Sequence, residues 1–282
     1  MIIGFMGKGG SGKTTLASFF VRRLIERGNT VLGIDADHNM DLAFNLHGTT
    51  DGLPHFGNAH AALKAALQLP AGAKMVDAVE EAALRFRVDP PDAFTAAYSA
   101  SPEPKLRLMS AGPHTDAIWH DEQCSHSLFS PLKAYLPLLD LAEGQAAVVD
   151  CVAGTDAVGT GIATGMDHVF IVAEPTPHGL KAAMQIRDGL RRFDVPHDIV
   201  INKSGTDADE AVAAAALGHA PSAVFPHLAE RPAFDRVPAP LAAHIDTLID
   251  RLHARIAAEG SLRIARTKEK RDRNAAFHAS MR

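Results

Sequence analysis

The chain has 282 residues and only two cysteines, Cys124 and Cys151. A single pair cannot build a disulfide framework, so a reducing, cytoplasmic setting is the simplest expectation. No apolar run is long enough to cross a bilayer, which argues against stable membrane insertion. Positive charge is not in excess: the formal net charge is -5, and no global electrostatic case for nucleic acid exists. The N-terminus does not read as a signal peptide, because a phosphate-binding motif starts at once with no cleavable apolar core ahead of it. There are no internal repeats.

What the chain does have is a hydrophobic content of 46%, enough for a sizeable core, with 22% charged residues. The length suits one large α/β domain or two small ones. Apolar runs rich in β-formers fall at 2–6, 30–34, 106–110, 146–149, 169–173 and 198–201. Helical patterns fill the gaps at 13–27, 130–142, 177–192 and 207–217, and a last one covers 241–258. Strand and helix in repetition predict a doubly wound, mostly parallel sheet with helices on both faces. Residues 52–104, Ala-rich and punctuated by Pro and Gly, read as an insertion of short helices and loops. The expected organisation is one α/β domain over 1–260 and a basic C-terminal tail over 261–282. The tail holds too few apolar residues for a membrane anchor and reads as a solvated terminal helix.

GKGGSGKT, Gly7–Thr14, fits G-x-x-x-x-G-K-[ST] and lies between a strand and a helix, the context that the motif needs. Its glycines, Gly7, Gly9, Gly10 and Gly12, with Ser11 let backbone N–H groups turn toward phosphate oxygens. Lys13 would reach the β- and γ-phosphates of ATP, Thr14 would bind Mg²⁺, and Thr15 can reach the α-phosphate. Lys8 is not explained by this loop alone.

With Lys8 included, KGGSGKTT resembles the deviant phosphate loop of the nitrogenase-iron-protein, plasmid-partition and cell-division ATPases. The resemblance implies ATP hydrolysis, a homodimer, and a role for Lys8 on the nucleotide of the partner subunit. A cation brought across an interface can neutralise charge that develops in phosphoryl transfer. In GIDADHNMDL, Gly33–Leu42, the resemblance implies that Asp37 polarises the attacking water and that Asp35 supports the metal shell. These ATPases usually have Asp-Pro where this chain has Asp37-His38. In AAVVDCVAG, Ala146–Gly154, Asp150 is the candidate for a Mg²⁺-bound water, and Gly154 can offer its N–H to the γ-phosphate. Asn202 of the INK triplet resembles a base-reading asparagine.

The segment WHDEQCSHSLFSPLKAYL, Trp119–Leu136, carries Cys124 and His126, with His120 and His114 upstream. Thiolate and imidazole suit Zn²⁺ or Ni²⁺, and two copies of a C-x-H pair at a dimer interface would make a closed Cys₂His₂ site. Here a narrower resemblance emerges. DCVAG and the run from GMD to EP, Gly165–Pro175, are similar to the carbon monoxide dehydrogenase nickel-insertion accessory ATPases of the CooC type. Those hold one metal ion with a C-x-C pair from each subunit, so the resemblance implies Cys124 as a ligand with His126 in the place of the second cysteine. A client metalloenzyme follows as the expected partner. The competing expectation is a partition or positioning ATPase that acts as a nucleotide switch on a surface. A nitrogenase-type reductase would need two cysteines per subunit for a shared cluster, and Cys151 sits at Asp150 rather than beyond it.

Overall fold

Strand β1 (Ile2–Gly7) is buried along its whole length, and its side chains alternate between two separate cores. Ile2 and Met6 point to one face of the sheet; Ile3 and Phe5 point to the other. That is what a central parallel strand covered on both sides requires. The structure is a computed structural model that describes residues 1–70, 72–122, 124–230 and 232–281.

The remaining strands are β2 (Thr30–Ala36), β3 (Phe86–Arg87), β4 (Ala100–Glu103), β5 (Leu106–Ser110), β6 (Leu139–Asp140), β7 (Gln145–Cys151), β8 (His168–Ala173), β9 (His197–Ser204) and β10 (Ala223–Pro226). Among the described residues, seven of them join β1 in one eight-stranded sheet in the order β10-β9-β8-β1-β7-β2-β5-β4, and β3 pairs with β6 apart from it. Every pairing in the large sheet is parallel except that of β4 with β5. The connection from β1 runs past β7 to β2 on one side, and the connection from β7 runs past β1 to β8 on the other, so the winding reverses at β1 and β7. Ligands bind in the crevice that such a reversal opens at the carboxyl ends of the strands.

The six expected strands are all present, and so is the expected doubly wound, mostly parallel sheet. Helix Lys13–Glu26 lays Leu16, Phe19, Phe20 and Leu24 on one face, together with Leu241, Ile245, Leu248 and Leu252 of helix Ala239–Glu259. This spacing is one stripe of a 3.6-residue period. Each such side chain taken from water contributes about 1.5–3 kcal/mol. The other face is covered by helices Leu132–Leu138, Pro177–Arg191 and Asp207–Leu217. Helix Pro177–Arg191 starts cleanly, with Thr176 Oγ1 accepting from Gly179 N at 3.1 Å and Pro177 in the first turn.

The 52–104 segment is not only helices and loops. Phe56, Leu63, Phe86 and Phe94 enter the core, and Ala100–Glu103 forms the antiparallel edge strand. Pro102 can sit there because an edge strand has N–H groups to spare.

The basic tail also differs from a freely solvated helix. Helix Arg263–Ser280 is docked on the domain: among its contacts, Arg263 donates to Leu139 O at 2.9 Å and Arg266 to Met166 O at 2.6 Å. Arg266 and Thr267 are buried, which a charge-rich composition hides. Arg282, the last residue of that tail, lies outside the described residues.

Candidate functional site

The helix that follows the glycine loop has no side-chain cap and no acidic residue in its first turn. Its first N–H groups are therefore left for something else, and the positive end of the helix favours an anion there. Gly10 and Gly12 take φ of +83° and +90°, which a side chain would strain. A Cβ on Gly12 would also lie 2.2 Å from Asn202 Nδ2. The loop is thus folded as a phosphate cradle by residues that cannot be enlarged. Ser11 Oγ is buried within it and has no hydrogen-bond partner among the described residues.

Two residues of β9 fasten this loop from outside. Asn202 Nδ2 donates to Ser11 O at 2.9 Å. That bond fixes the amide orientation, because a carbonyl can only accept. Lys203, at φ +60°, donates to Gly10 O and to Glu174 Oε1 at 2.6 Å. Sequence reasoning singled out Asn202 as a base reader and missed Lys203. Glu174, just beyond the end of β8 and noted only within a resemblance, pairs with Lys203. Asn202 and Lys203 also line a cavity of about 220 Å³ with Gly12, Thr15 and Pro226.

Behind the loop the strand-end acids meet. Lys13 Nζ lies 3.5 Å from Asp37 Oδ2 and 3.9 Å from Asp150 Oδ1. Burial works against its charge, but Asp150 and Asp37 outweigh burial and hold Lys13 above the ordinary lysine value. Thr14 Oγ1 donates to Asp150 Oδ2 at 2.6 Å. Asp150 is fully buried, and its Oδ1 has no hydrogen-bond partner among the described residues. Burial pushes its carboxyl up to about 6 even though Lys13 pulls the other way. An orphaned carboxylate oxygen next to a threonine hydroxyl is a hard-oxygen donor set that fits Mg²⁺.

Asp35 faces Asp150 across the β2–β7 pairing. Burial, then Asp150, push its carboxyl well above the usual range. Its two oxygens accept from Ala43 N at 2.9 Å and Asp37 N at 3.2 Å. Asp35, expected in the metal shell, is here spent on the backbone of the turn that carries Asp37. Gly154, expected at the γ-phosphate, donates its N–H instead to Gly7 O at 2.9 Å. His38, where the resemblance expects proline, stacks on His114 with ring centroids 4.1 Å apart, and Trp119 meets His114 edge-on at 5.4 Å. Lys8 is exposed on the loop and makes no ion pair or side-chain hydrogen bond among the described residues.

Cys124 and His126 come together on the surface. Cys124 Sγ lies 3.1 Å from His126 Nδ1, and His126 Nε2 lies 3.2 Å from Asp156 Oδ2. The backbone N–H and then the ring of His126 hold the Cys124 thiol below its usual value. The bond to Asp156 in turn holds His126 above the usual histidine value. Asp156 opens the short helix Asp156–Thr160, directly after the Asp150–Gly154 segment. His120 turns away, its ring on Asp116 O at 2.8 Å. Cys151 is buried, and burial pushes its thiol up, so it packs rather than reacts. Among the described residues no three His, Cys, Asp or Glu side chains converge as a metal-holding group within the chain. The C-x-H pair is at most half a site.

A glycine loop between a buried strand and a helix, backed by a lysine and two strand-end acids, defines a P-loop nucleoside triphosphatase. The chain belongs to the CobQ/CobB/MinD/ParA nucleotide-binding domain family, whose model matches residues 2–242. It is an ATPase of that class. It is 23% identical over 207 residues to an uncharacterized ATP-binding protein of Methanocaldococcus jannaschii, covering 72% of this chain and 78% of the relative. It is 27% identical over 197 residues to the carbon monoxide dehydrogenase accessory protein CooC of Rhodospirillum rubrum, covering 68% of this chain and 69% of that protein. A solved ParA family ATPase from Chlorobium tepidum superposes with a TM-score of 0.56 at 17% identity, covering 95% of this chain and 96% of the other. That likeness is one of fold.

Proposed function

We propose that this ATPase is an ATP-gated homodimer that serves metal-centre maturation, nickel insertion being the type, with a client metalloenzyme as partner. The observation that carries the reading is the Cys124–His126–Asp156 chain of contacts. Sγ and Nδ1 form a soft donor pair facing outward, and the carboxylate on Nε2 is the orienting contact that metal-bound histidines commonly have. Two copies would complete a four-ligand site for Zn²⁺ or Ni²⁺. Asp156 ties that half-site to the segment that begins at Asp150, so nucleotide state and metal state are read by one stretch of chain. The similarity to a carbon monoxide dehydrogenase accessory protein supports the same reading.

In the catalytic cycle the residues divide the work. Gly7–Thr15 cradle the phosphates of ATP, and Lys13 neutralises their charge. Thr14 and Asp150 would hold Mg²⁺, which when bound supplies positive charge at the phosphates. Asp37 orients and polarises the attacking water, while Asp35 fixes the turn from which Asp37 projects. Asn202, its amide nitrogen spent on Ser11 O, would offer its carbonyl oxygen to the base. Gly154 must exchange Gly7 O for the γ-phosphate, and this exchange moves the segment that leads to Asp156. Lys8, exposed and without an ion pair among the described residues, would reach the nucleotide of the second subunit.

The alternative is a partition or positioning ATPase, a nucleotide switch that acts on a surface or partner. The parallel fold with ParA-type ATPases favours it; the net charge of -5 does not favour a nucleic-acid surface. Equilibrium dialysis of the purified protein against Zn²⁺ and Ni²⁺, with and without ATP, separates the two. The maturation reading expects about one ion per two chains, lost in Cys124→Ser; metal content that is unchanged in Cys124→Ser overturns it.

A further inference from the structure

Away from the nucleotide loop, a cavity of about 390 Å³ opens between helix Arg263–Ser280, the turn Met75–Ala78, helix Leu132–Leu138 and the turn Ile162–Gly165. None of the residues Gly7–Thr15 lines it. Its volume is within the range of small-molecule sites, roughly 300–1,000 Å³.

The lining is one-sided in charge. Lys74, Lys133, Lys270 and Arg271 face the single carboxylate of Asp77. Arg271 is paired outside, with Glu80 and Asp272. The three lysines have no carboxylate within 4.0 Å among the described residues. Lys270 spends its ammonium on two carbonyls, Val158 O at 3.3 Å and Gly159 O at 3.2 Å, and lies over the Phe193 ring at 4.2 Å. Burial pulls Lys133 below the ordinary lysine value and Lys74 adds to it; burial does the same to Lys270, with Lys133 adding. Like charges gathered in a concave, half-buried place oppose folding and draw in counter-ions. The buried hydroxyls of Thr164 and Thr267, 3.0 Å apart, supply neutral hydrogen-bonding groups in the same wall.

The arrangement is also tied to the catalytic segment. Val158 and Gly159 belong to the helix that opens at Asp156. Gly161, at φ +92°, leaves room for the Lys270 stem: a Cβ there would lie 2.6 Å from Lys270 Cε. Lys270 thus sits between the cavity and the end of the segment that begins at Asp150.

We infer that this cavity binds a small phosphate-bearing anion on Lys74, Lys133 and Lys270. An anion supplies the missing counter-charge, and it competes with Val158 O and Gly159 O for Lys270. Occupancy would then be felt at the helix Asp156–Thr160 and in the rate of ATP turnover.

The test uses the full chain saturated with Mg²⁺ and ADP, so that the glycine loop is filled. Pyrophosphate is titrated by calorimetry. One site per chain is expected, weakening at least about tenfold in Lys133→Gln and in Lys74→Gln and weakening further with added salt. ADP affinity measured on the same samples should be unchanged, which shows that the variants are folded. A parallel arm sediments the protein with phosphatidylglycerol or phosphatidylcholine vesicles. Binding to the anionic vesicles alone, lost in the same variants, assigns the phosphate to a lipid headgroup at the same site. The inference is overturned if neither pyrophosphate nor anionic vesicles bind. It is equally overturned if binding survives in the double variant Lys74→Gln/Lys133→Gln.

Discussion

The ring of His126 bridges Cys124 and Asp156: Nδ1 is 3.1 Å from the thiol sulfur and Nε2 is 3.2 Å from the carboxylate. His126 and Asp156 are both about half exposed, and an isolated surface pair of this kind contributes little to stability. Its consequence should therefore be in ligand orientation. Asp156→Asn should leave thermal stability and ATP affinity unchanged but loosen Zn²⁺ by about 10–100-fold, measured by competition with a chromophoric chelator. Equal Zn²⁺ affinity in parent and variant would reduce the contact to a surface ion pair.

Lys8 offers a cleaner separation of functions. It is exposed and makes no ion pair or side-chain hydrogen bond among the described residues, whereas Lys13 is buried against two acids. Lys8→Ala should keep nucleotide affinity within a few-fold, lose the ATP-dependent dimer in light scattering, and slow turnover by roughly 10³-fold, as loss of a finger-type cation does. Normal turnover in this variant would contradict the cross-interface role. Lys13→Ala should instead lose nucleotide binding itself.

Asp37 lies on the other side of the same lysine. Asp37→Ala removes the group assigned to the attacking water but leaves Asp150 to hold Lys13. ATP binding should persist while turnover falls at least about 10²-fold. Dimer formed with ATP should then outlast the parent's. A variant that remains monomeric with ATP and Mg²⁺ would argue against gating by hydrolysis.

These roles were legible to different depths. Runs such as Ile2–Met6 and Val169–Ala173 are apolar throughout because both sheet faces are covered, and this pattern is local. The glycine loop is equally local, since backbone conformation alone demands it. Asp37 and Asp150 stand at strand ends, and parallel pairing brings strand ends together whatever the intervening chain does. Contacts that depend on side chains from distant elements left no such trace. Lys203 on Gly10, Asp156 on His126 and the His38–His114 stack each join segments whose spacing in the chain carries no period. The docked C-terminal helix is the sharpest case. A run rich in Arg and Lys reads as solvated, yet Arg263 and Arg266 satisfy backbone carbonyls of the domain. The edge strand Ala100–Glu103 was missed for a related reason: its sequence, ASPE, has no β-former, and pairing with β5 alone holds it.

Burial of Asp150 leads to a pH dependence with a definite sign. Its carboxyl rises from an ordinary 3.8 to about 6 in the folded chain, burial being the largest cause. The folded state therefore holds this proton more tightly than the unfolded state does. Stability from this group is present below about pH 4 and is lost as pH rises toward 6, a difference of roughly 3 kcal/mol. Asp150→Asn removes the ionisable group at nearly constant shape. Without nucleotide, the variant should gain on the parent as pH rises between about 4 and 6.5, and the gap should be flat above that, as read from urea unfolding at a series of pH values. A gap independent of pH would show that Asp150 does not carry the titration. With Mg²⁺ and ATP the order should invert in function: under the proposed role of Asp150 at Mg²⁺ the ionised carboxylate is the binding form, so the parent's Mg²⁺-ATP affinity should rise as pH climbs through 6. The asparagine variant should have little turnover at any pH. Stability given up in the free protein is thus recovered only when the cation and nucleotide arrive, which favours the loaded state over the empty one.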